Sequence, residues 1–496
     1  MYCGGPSDRP NTLVDHSPPA LAYSSMSSSA LFTLQCETSA ATGVCFIREP
    51  PTTETDSDND TDSGESVGAG SFRCSNLLPQ RGHSCADVAQ TYSDGEKLSR
   101  FYHQASQLSA SSHESLKGYM LASCHGDGSC KLWDLATRRC IEEDICEENR
   151  KAGLAVRRLG SGGNTDGSFL YQSRDPLGTV SLHHSQNPST PVVTMPTYST
   201  SFCTMSPCQT ECAGSSASNL VALPTAEHSV AIVRDIRCNP GGNPAWRVDL
   251  TVGKKGAAAP YGKFGMVTSL ALCEYASTIV LGAGMEDGSA LFHDLGAVGN
   301  GRRPWYVGEV ASNNCVTEAA RDGEEDWCSC AISLGIDPVL SIDLVPPPRA
   351  TDDPKQDLSA GSLVAVGGCA GDASEPSCQD ALGTVSTVTV TLADDATRPM
   401  EASIIVRSRT CSVKSGGKSG VSVCRFRPDS RMFAVGGWDY RLRLFSRSKS
   451  KALAILRGHE KSVTSCDWAD DASVSGLLAT GADDGRICVW RAFPNI

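Results

Sequence analysis

One pattern is written twice near the C-terminal end of the chain. Met432-Phe433-Ala434-Val435-Gly436-Gly437-Trp438-Asp439 runs into Tyr440-Arg441-Leu442-Arg443-Leu444-Phe445. Leu477-Leu478-Ala479-Thr480-Gly481-Ala482-Asp483-Asp484 runs into Gly485-Arg486-Ile487-Cys488-Val489-Trp490. The turn aspartates Asp439 and Asp484 stand 45 residues apart, and each is followed at +6 by an aromatic residue that ends an apolar alternation. Each copy reads as a buried strand, a tight turn carrying Asp, and a second strand of period two. A unit this small cannot bury both faces of its own sheet, so copies must stack to be stable.

Leu453-Ala454-Ile455-Leu456-Arg457-Gly458-His459 precedes the second copy. Gly-His before one strand and Trp closing another, at this period, mark a WD40 blade of four antiparallel strands. The same search backwards along the chain gives seven candidate blades. The first is Leu121 to Asp134, with turn Asp127 and Trp133. The second is Leu170 to His183, with turn Asp175 and two extra turn residues. The third, degenerate, joins Leu220–Pro224 to His228–Asp235. The fourth is Ile279 to Asp294, with turn Asp287. The fifth joins Leu363–Gly368 to Gly383–Val390. The original pair makes the sixth and seventh. Inner strands are expected at Val267–Leu272, Val339–Leu344, Val421–Phe426 and Val463–Trp468, and for the first blade at Ala41–Phe46 with Gln35-Cys36-Glu37 in place of Arg-Gly-His.

The expected fold is therefore all-β, a seven-bladed WD40 β-propeller over 30–496. An outer strand near Ala30–Leu34 would complete blade seven and close the ring, which removes free sheet edges. Residues 1–29 are read as a disordered N-terminus and 48–116 as a disordered acidic insertion within blade one. The run Glu54-Thr55-Asp56-Ser57-Asp58-Asn59-Asp60-Thr61-Asp62 holds no apolar residue to bury. Segments 239–260, 296–332, 346–360 and 370–382 are read as loops.

The polar residues at repeated positions are expected to brace blades. Asp127, Asp175, Asp287, Asp439 and Asp484 recur at one turn position, where Asp bonds its own backbone. His459, Thr480, Asp484 and Trp490 are expected to form one hydrogen-bonded set, since buried polar groups must be satisfied together. His183, His184 and His293 take the Trp-end position of their blades as packing substitutes. Ser415-Gly416-Gly417-Lys418-Ser419 lacks the leading Gly of a phosphate loop and has no helix after it. The chain is accordingly expected not to be an enzyme and to use no cofactor or metal. Its 23 cysteines are an odd number without a CxxC pair, which reads as free thiols rather than a zinc module. A formal charge of −13 argues against direct nucleic-acid binding, which relies on Lys and Arg neutralising phosphates. No window approaches a membrane span. The start, Met1-Tyr2-Cys3-Gly4-Gly5-Pro6, has no basic-then-apolar leader, so no membrane contact and a nuclear or cytoplasmic location are expected.

The order of these features resembles the ASTRA-associated, G-protein β-subunit-like WD-repeat family. The resemblance rests on Ala434–Phe445 and Gly481–Pro494, and on Leu31–Phe46, Leu132–Arg139, Ser173-Arg174-Asp175, Val221–Pro224 and Gly284–Ser289. It implies a non-enzymatic scaffold subunit. Its partners would be the co-chaperones that mature phosphatidylinositol-3-kinase-related kinases, together with chromatin-linked ASTRA-type assemblies. The resemblance also implies that the acidic run around Ser57 is a handle for chaperone adaptors that read phosphorylated acidic motifs. A phosphate there would add up to about two negative charges. A G-protein β-like signalling scaffold is the alternative. It requires an N-terminal heptad helix, and residues 1–30 carry Pro6, Pro10, Pro18 and Pro19 with no such pattern.

Overall fold

The computed structural model describes residues 27–28, 30–35, 39–48, 116–143, 145, 152–160, 167–210, 215–238, 242–250, 264–275, 278–296, 329–333, 338–345, 362–369, 383–391, 405–413, 420–447, 451–470 and 476–493. The acidic run with Ser57, and most of the 1–29 and 48–116 segments, lie outside the described residues. No helix among the described residues is long and apolar enough to cross a membrane.

Two short strands lead, β1 (Ser27–Ser28) and β2 (Phe32–Gln35). Blade one is β3 (Ala41–Arg48), β4 (Tyr119–His125), β5 (Cys130–Asp134) and β6 (Arg139–Glu142). Blade two is β7 (Gly153–Arg158), β8 (Ser168–Ser173), β9 (Thr179–His184) and β10 (Val193–Pro196). Blade three is β11 (Ser206–Gln209), β12 (Leu220–Pro224), β13 (Val230–Asp235) and β14 (Trp246–Asp249). Blade four is β15 (Val267–Tyr275), β16 (Thr278–Met285), β17 (Ser289–Asp294) and β18 (Ser329–Ser333). Blade five is β19 (Val339–Val345), β20 (Ser362–Cys369), β21 (Gly383–Thr391) and β22 (Ile405–Val413). Blade six is β23 (Val421–Phe426), β24 (Met432–Gly437), β25 (Arg441–Ser446) and β26 (Ala452–Arg457). Blade seven has three strands of its own, β27 (Val463–Trp468), β28 (Leu477–Ala482) and β29 (Arg486–Arg491), and takes β2 as its fourth.

The ring closes where the alternation predicts, slightly later in the chain. Phe32 pairs antiparallel with Val489 and Gln35 with Arg486. Within the expected N-terminal tail, Ser27–Ser28 pairs in parallel with Ile455–Leu456, covering part of the exposed edge of blade six. Two segments read as loops contain strands. Trp246–Asp249 pairs with Val230–Val233, and Ser329–Ser333 with Ser289–His293. Each is a four- or five-residue alternation too short to register against the Gly- and Pro-rich chain around it.

The core lies between blades. Phe32, Leu34, Ala41, Val44, Leu121, Trp133, Ile487 and Val489 share one cluster across blades seven and one. Trp490 packs with Leu444, Leu456 and Trp468 across six and seven. Second strands are therefore covered on both faces, which is why Met432–Gly437 and Leu477–Ala482 are uninterrupted small or apolar runs.

In six blades the pairing register slips at the second residue of the inner strand. A bulge there frees one residue from the ladder. In four of the six that residue carries a hydroxyl. Thr42 Oγ1 lies 3.2 Å from the Cys124 carbonyl of its own blade and 2.7 Å from the Gly153 carbonyl of the next. Thr268 does the same with Gly284 and Val339, Ser422 with Gly436 and Val463, and Thr464 with Gly481 and Ala41. The Thr464 contact joins blade seven to blade one. It also explains the Gly of the doubled motif, since a Cβ on Gly481 would come within 3.0 Å of the Ala41 carbonyl oxygen.

Candidate protein-docking surface

The repeated polar residues are built into the frame. In blade seven, His459 Nε2 lies 2.8 Å from Thr480 Oγ1, and Trp490 Nε1 donates to the same oxygen at 2.9 Å. Asp484 sits 3.5 Å from His459 Nδ1 and accepts from the backbone N–H groups of Glu460 and Arg486. Burial works against the charge on His459, yet the Asp484 carboxylate beside it raises its pKa to about 9. Burial likewise opposes ionisation of Asp484, but His459 and the two backbone donors bring it down to about 2. The set is a buried ion pair.

Blade one builds its set differently. Ser123 Oγ accepts from Trp133 Nε1 at 2.9 Å and lies 3.0 Å from His125 Nε2. The histidine comes from β4, two residues from the serine, and not from the chain before the inner strand. A search for Gly-His misses it; the Ser-x-His pair ending Leu121–His125 is the signal. Burial lowers the His125 pKa to about 4, with Asp127 opposing. Asp127 itself accepts from the Ser129 N–H and hydroxyl.

The other blades keep the turn and vary the brace. Asp287 accepts from the Ser289 N–H and hydroxyl. Asp439 takes both terminal nitrogens of Arg443, at 2.9 and 2.6 Å, so blade six uses an arginine where blade seven has a histidine. His183 stacks on Phe169 with centroids 5.6 Å apart, as a packing residue at the Trp position. His293 stands at the equivalent place in blade four, buried, with its pKa lowered by that burial to about 4.

The inner strands carry a further charged set that repeat-matching does not reveal. Arg425 donates to Asp343 at 2.7 Å, and Asp343 also accepts from the Phe426 N–H. Asp467 accepts from the Phe46 N–H of blade one, and burial raises its pKa. Arg157, in blade two, is lowered to about 10, first by burial and then by the charge of Arg425 in blade six. Among the described residues no cluster of His, Cys, Asp and Glu could hold a metal ion.

What remains unabsorbed lies on the rim between blades two and three. The β8–β9 turn, residues 174–178, is two residues longer than the three-residue turns of blades four, six and seven. Asp175 holds it by accepting from the Leu177 and Thr179 N–H groups. Against it lies the connection from β10 to β11. Thr197 and Tyr198 both donate to the Leu177 carbonyl, and Thr197 Oγ1 donates to the Gly178 carbonyl. The buried Gln172 fixes the far end, donating to the Cys203 carbonyl and accepting from the Met205 N–H at 2.7 Å. Tyr198 is held at φ +57°.

The two segments carry Arg174, Leu177, Tyr198 and Phe202. Phe202 is 69% exposed, Tyr198 56% and Leu177 49%, three of the six exposed large apolar side chains among the described residues. Arg174 is also exposed, and its guanidinium lies over the Phe202 ring. Rigid aromatics and arginine on an ordered loop are the residues that carry binding energy at protein interfaces. None of the four stood among the expected site residues, although the two-residue excess in the blade-two turn is visible in the sequence.

A WD40 profile (WD domain, G-beta repeat) matches residues 95–134, 409–446 and 450–491. Three stretches of the chain match WD40 repeats, and the fold is a seven-bladed β-propeller. Over 75 residues it is 39% identical to guanine nucleotide-binding protein subunit beta-like protein 1 of Mus musculus, covering 15% of this chain and 22% of that one. It is 32% identical over 75 residues to ASTRA-associated protein 1 of Penicillium rubens, covering 15% and 16%. The matched stretches thus span about a fifth or less of these relatives' length. Among solved structures, the Cps50 (Swd1) β-propeller domain of Myceliophteria thermophila aligns with a TM-score of 0.47 at 14% identity, over 77% of this chain and 94% of that one.

Proposed function

We propose that this WD40 propeller is a non-enzymatic scaffold subunit that works with the co-chaperones maturing phosphatidylinositol-3-kinase-related kinases and within ASTRA-type chromatin-linked assemblies, in the nucleus, the cytoplasm or both. One observation carries the scaffold reading: the repeated Asp, His and Trp residues are consumed in bracing blades, whereas Arg174, Leu177, Tyr198 and Phe202 stand exposed on a hydrogen-bonded rim. The assignment to that assembly is supported by the similarity to ASTRA-associated protein 1 of Penicillium rubens. The acidic run at Ser57 serves as a second, phosphorylation-dependent handle.

The test is affinity purification of the tagged chain followed by mass spectrometry. Recovery of kinase-maturation co-chaperones with ASTRA subunits is expected. Their absence contradicts the assignment, and recovery of a G-protein γ subunit alone replaces it with a G-protein β-like signalling scaffold, to which the Mus musculus relative lends similarity. Ser57→Ala and phosphatase treatment are expected to remove the co-chaperones. Unchanged recovery removes the Ser57 handle.

A further inference from the structure

We propose that the rim of Arg174, Leu177, Tyr198 and Phe202 takes an acidic linear segment of a partner protein. A carboxylate of that segment sits on Arg174, and an adjoining apolar side chain lies against Phe202, Tyr198 and Leu177. This rests on the docking reading above and names the chemistry of what docks.

Arg174 supplies the charge of the rim. Its guanidinium is positioned 3.9 Å above the Phe202 ring, yet no carboxylate pairs with it among the described residues. Elsewhere the described arginines Arg158, Arg425, Arg427 and Arg443 each hold an aspartate within 2.7 Å, whereas the exposed Arg138 lies over the Phe32 ring much as Arg174 lies over Phe202. A guanidinium laid flat on an aromatic face keeps its N–H edge free, in the fork geometry that matches a carboxylate.

The size of the platform argues for a segment over a folded face. One hairpin tip and one connecting loop supply the four side chains, whereas a stable interface between globular partners buries roughly 800 Å² per side. Gln172, Thr197 and Gly178 hold both pieces before anything binds, so a short peptide would meet a formed surface and would not have to order it. A second copy of this chain is the poorer occupant, since a twofold contact pairs the patch with itself and none of its four side chains offers Arg174 a carboxylate.

The test uses the full chain and a phage-displayed library of random dodecapeptides. Enriched peptides are expected to place Asp or Glu within a few residues of Leu, Ile, Phe or Trp. Changing that acid to its amide should weaken binding at least tenfold. Arg174→Glu should also weaken it at least tenfold and enrich peptides bearing Lys or Arg instead. Enrichment without acids, no enrichment at all, or affinity indifferent to Arg174→Glu overturns the proposal. The two readings fail separately. If Tyr198→Ala/Phe202→Ala abolishes partner recovery while the library shows no acidic preference, docking stands and the acidic segment falls. If that double variant recovers partners as the wild type does, the docking reading falls and takes this one with it.

Discussion

The Arg174 guanidinium carbon lies 3.9 Å from the centre of the Phe202 ring. Both residues are exposed, so their contact does little for folding. Phe202→Ala and Arg174→Ala are each expected to change unfolding free energy by no more than about 0.5 kcal/mol. Each should weaken partner binding by about 2 kcal/mol, as truncating an interface anchor does. Urea denaturation and a binding titration on the same preparations separate the two effects.

Gly178 makes a different prediction, because its conformation shapes the rim. It sits at φ +57°, and an added Cβ would lie 2.6 Å from both the Ser199 carbonyl oxygen and Thr197 Oγ1. Gly178→Ala must push the 197–203 loop away from the turn. We expect faster amide exchange at Tyr198 and its neighbours, at a cost of about 1–3 kcal/mol. Weaker partner binding should accompany it.

Thr480 tests the frame. Its hydroxyl serves both His459 and Trp490, and all three are buried within the blade. Thr480→Val keeps the shape and leaves two buried partners unsatisfied, at an expected cost of about 2–4 kcal/mol. Thr480→Ser should recover most of it. At temperatures where the variant remains folded, partner binding should match the wild type, since no member of the set reaches the rim.

The pH response of stability follows from the same blade. His459 is raised to about 9 in the folded state from an ordinary 6.5. Its contribution is therefore complete below pH 6.5 and lost as pH rises through 9. Asp484, lowered to about 2 from 3.8, contributes above 3.8 and loses that as pH falls toward 2. His125 and His293, lowered to about 4, act oppositely to His459: both are neutral when folded at neutral pH, and stability falls as pH drops from 6.5 toward 4. His459→Gln should flatten the alkaline limb between pH 6.5 and 9 by about 3 kcal/mol, and leave in place the fall between pH 6.5 and 4 that His125 and His293 set. Chemical denaturation across pH 4–9 reads both.

Five blades were legible from a turn Asp with alternation on either side, and the other two from alternation alone. Even the degenerate third and fifth appear as the paired strands Leu220–Pro224 with Val230–Asp235 and Ser362–Cys369 with Gly383–Thr391. Short outer strands such as Trp246–Asp249 were not legible, since their identity depends on the edge they meet. The frame residues His459, Thr480, Asp484 and Trp490 follow from spacing, whereas His125 in blade one does not, because it replaces the expected histidine from a different strand. The rim escaped for a related reason. Arg174 and Phe202 are 28 positions apart, and the Gln172, Leu177 and Gly178 contacts bring their segments together.

The central claim is that partners dock on the rim between blades two and three. It is tested most directly by a photo-cross-linking amino acid placed at Tyr198 in one chain and at Val192 in another. Both positions are exposed, 56% and 65%, but Val192 lies at the other end of the same blade, paired across from Leu182 and not beside the 174–178 turn. Discrete cross-linked partners are expected from position 198, lost on adding Arg174→Glu, and none from position 192. Equal cross-linking from the two positions, or cross-linking from 192 alone, would contradict it.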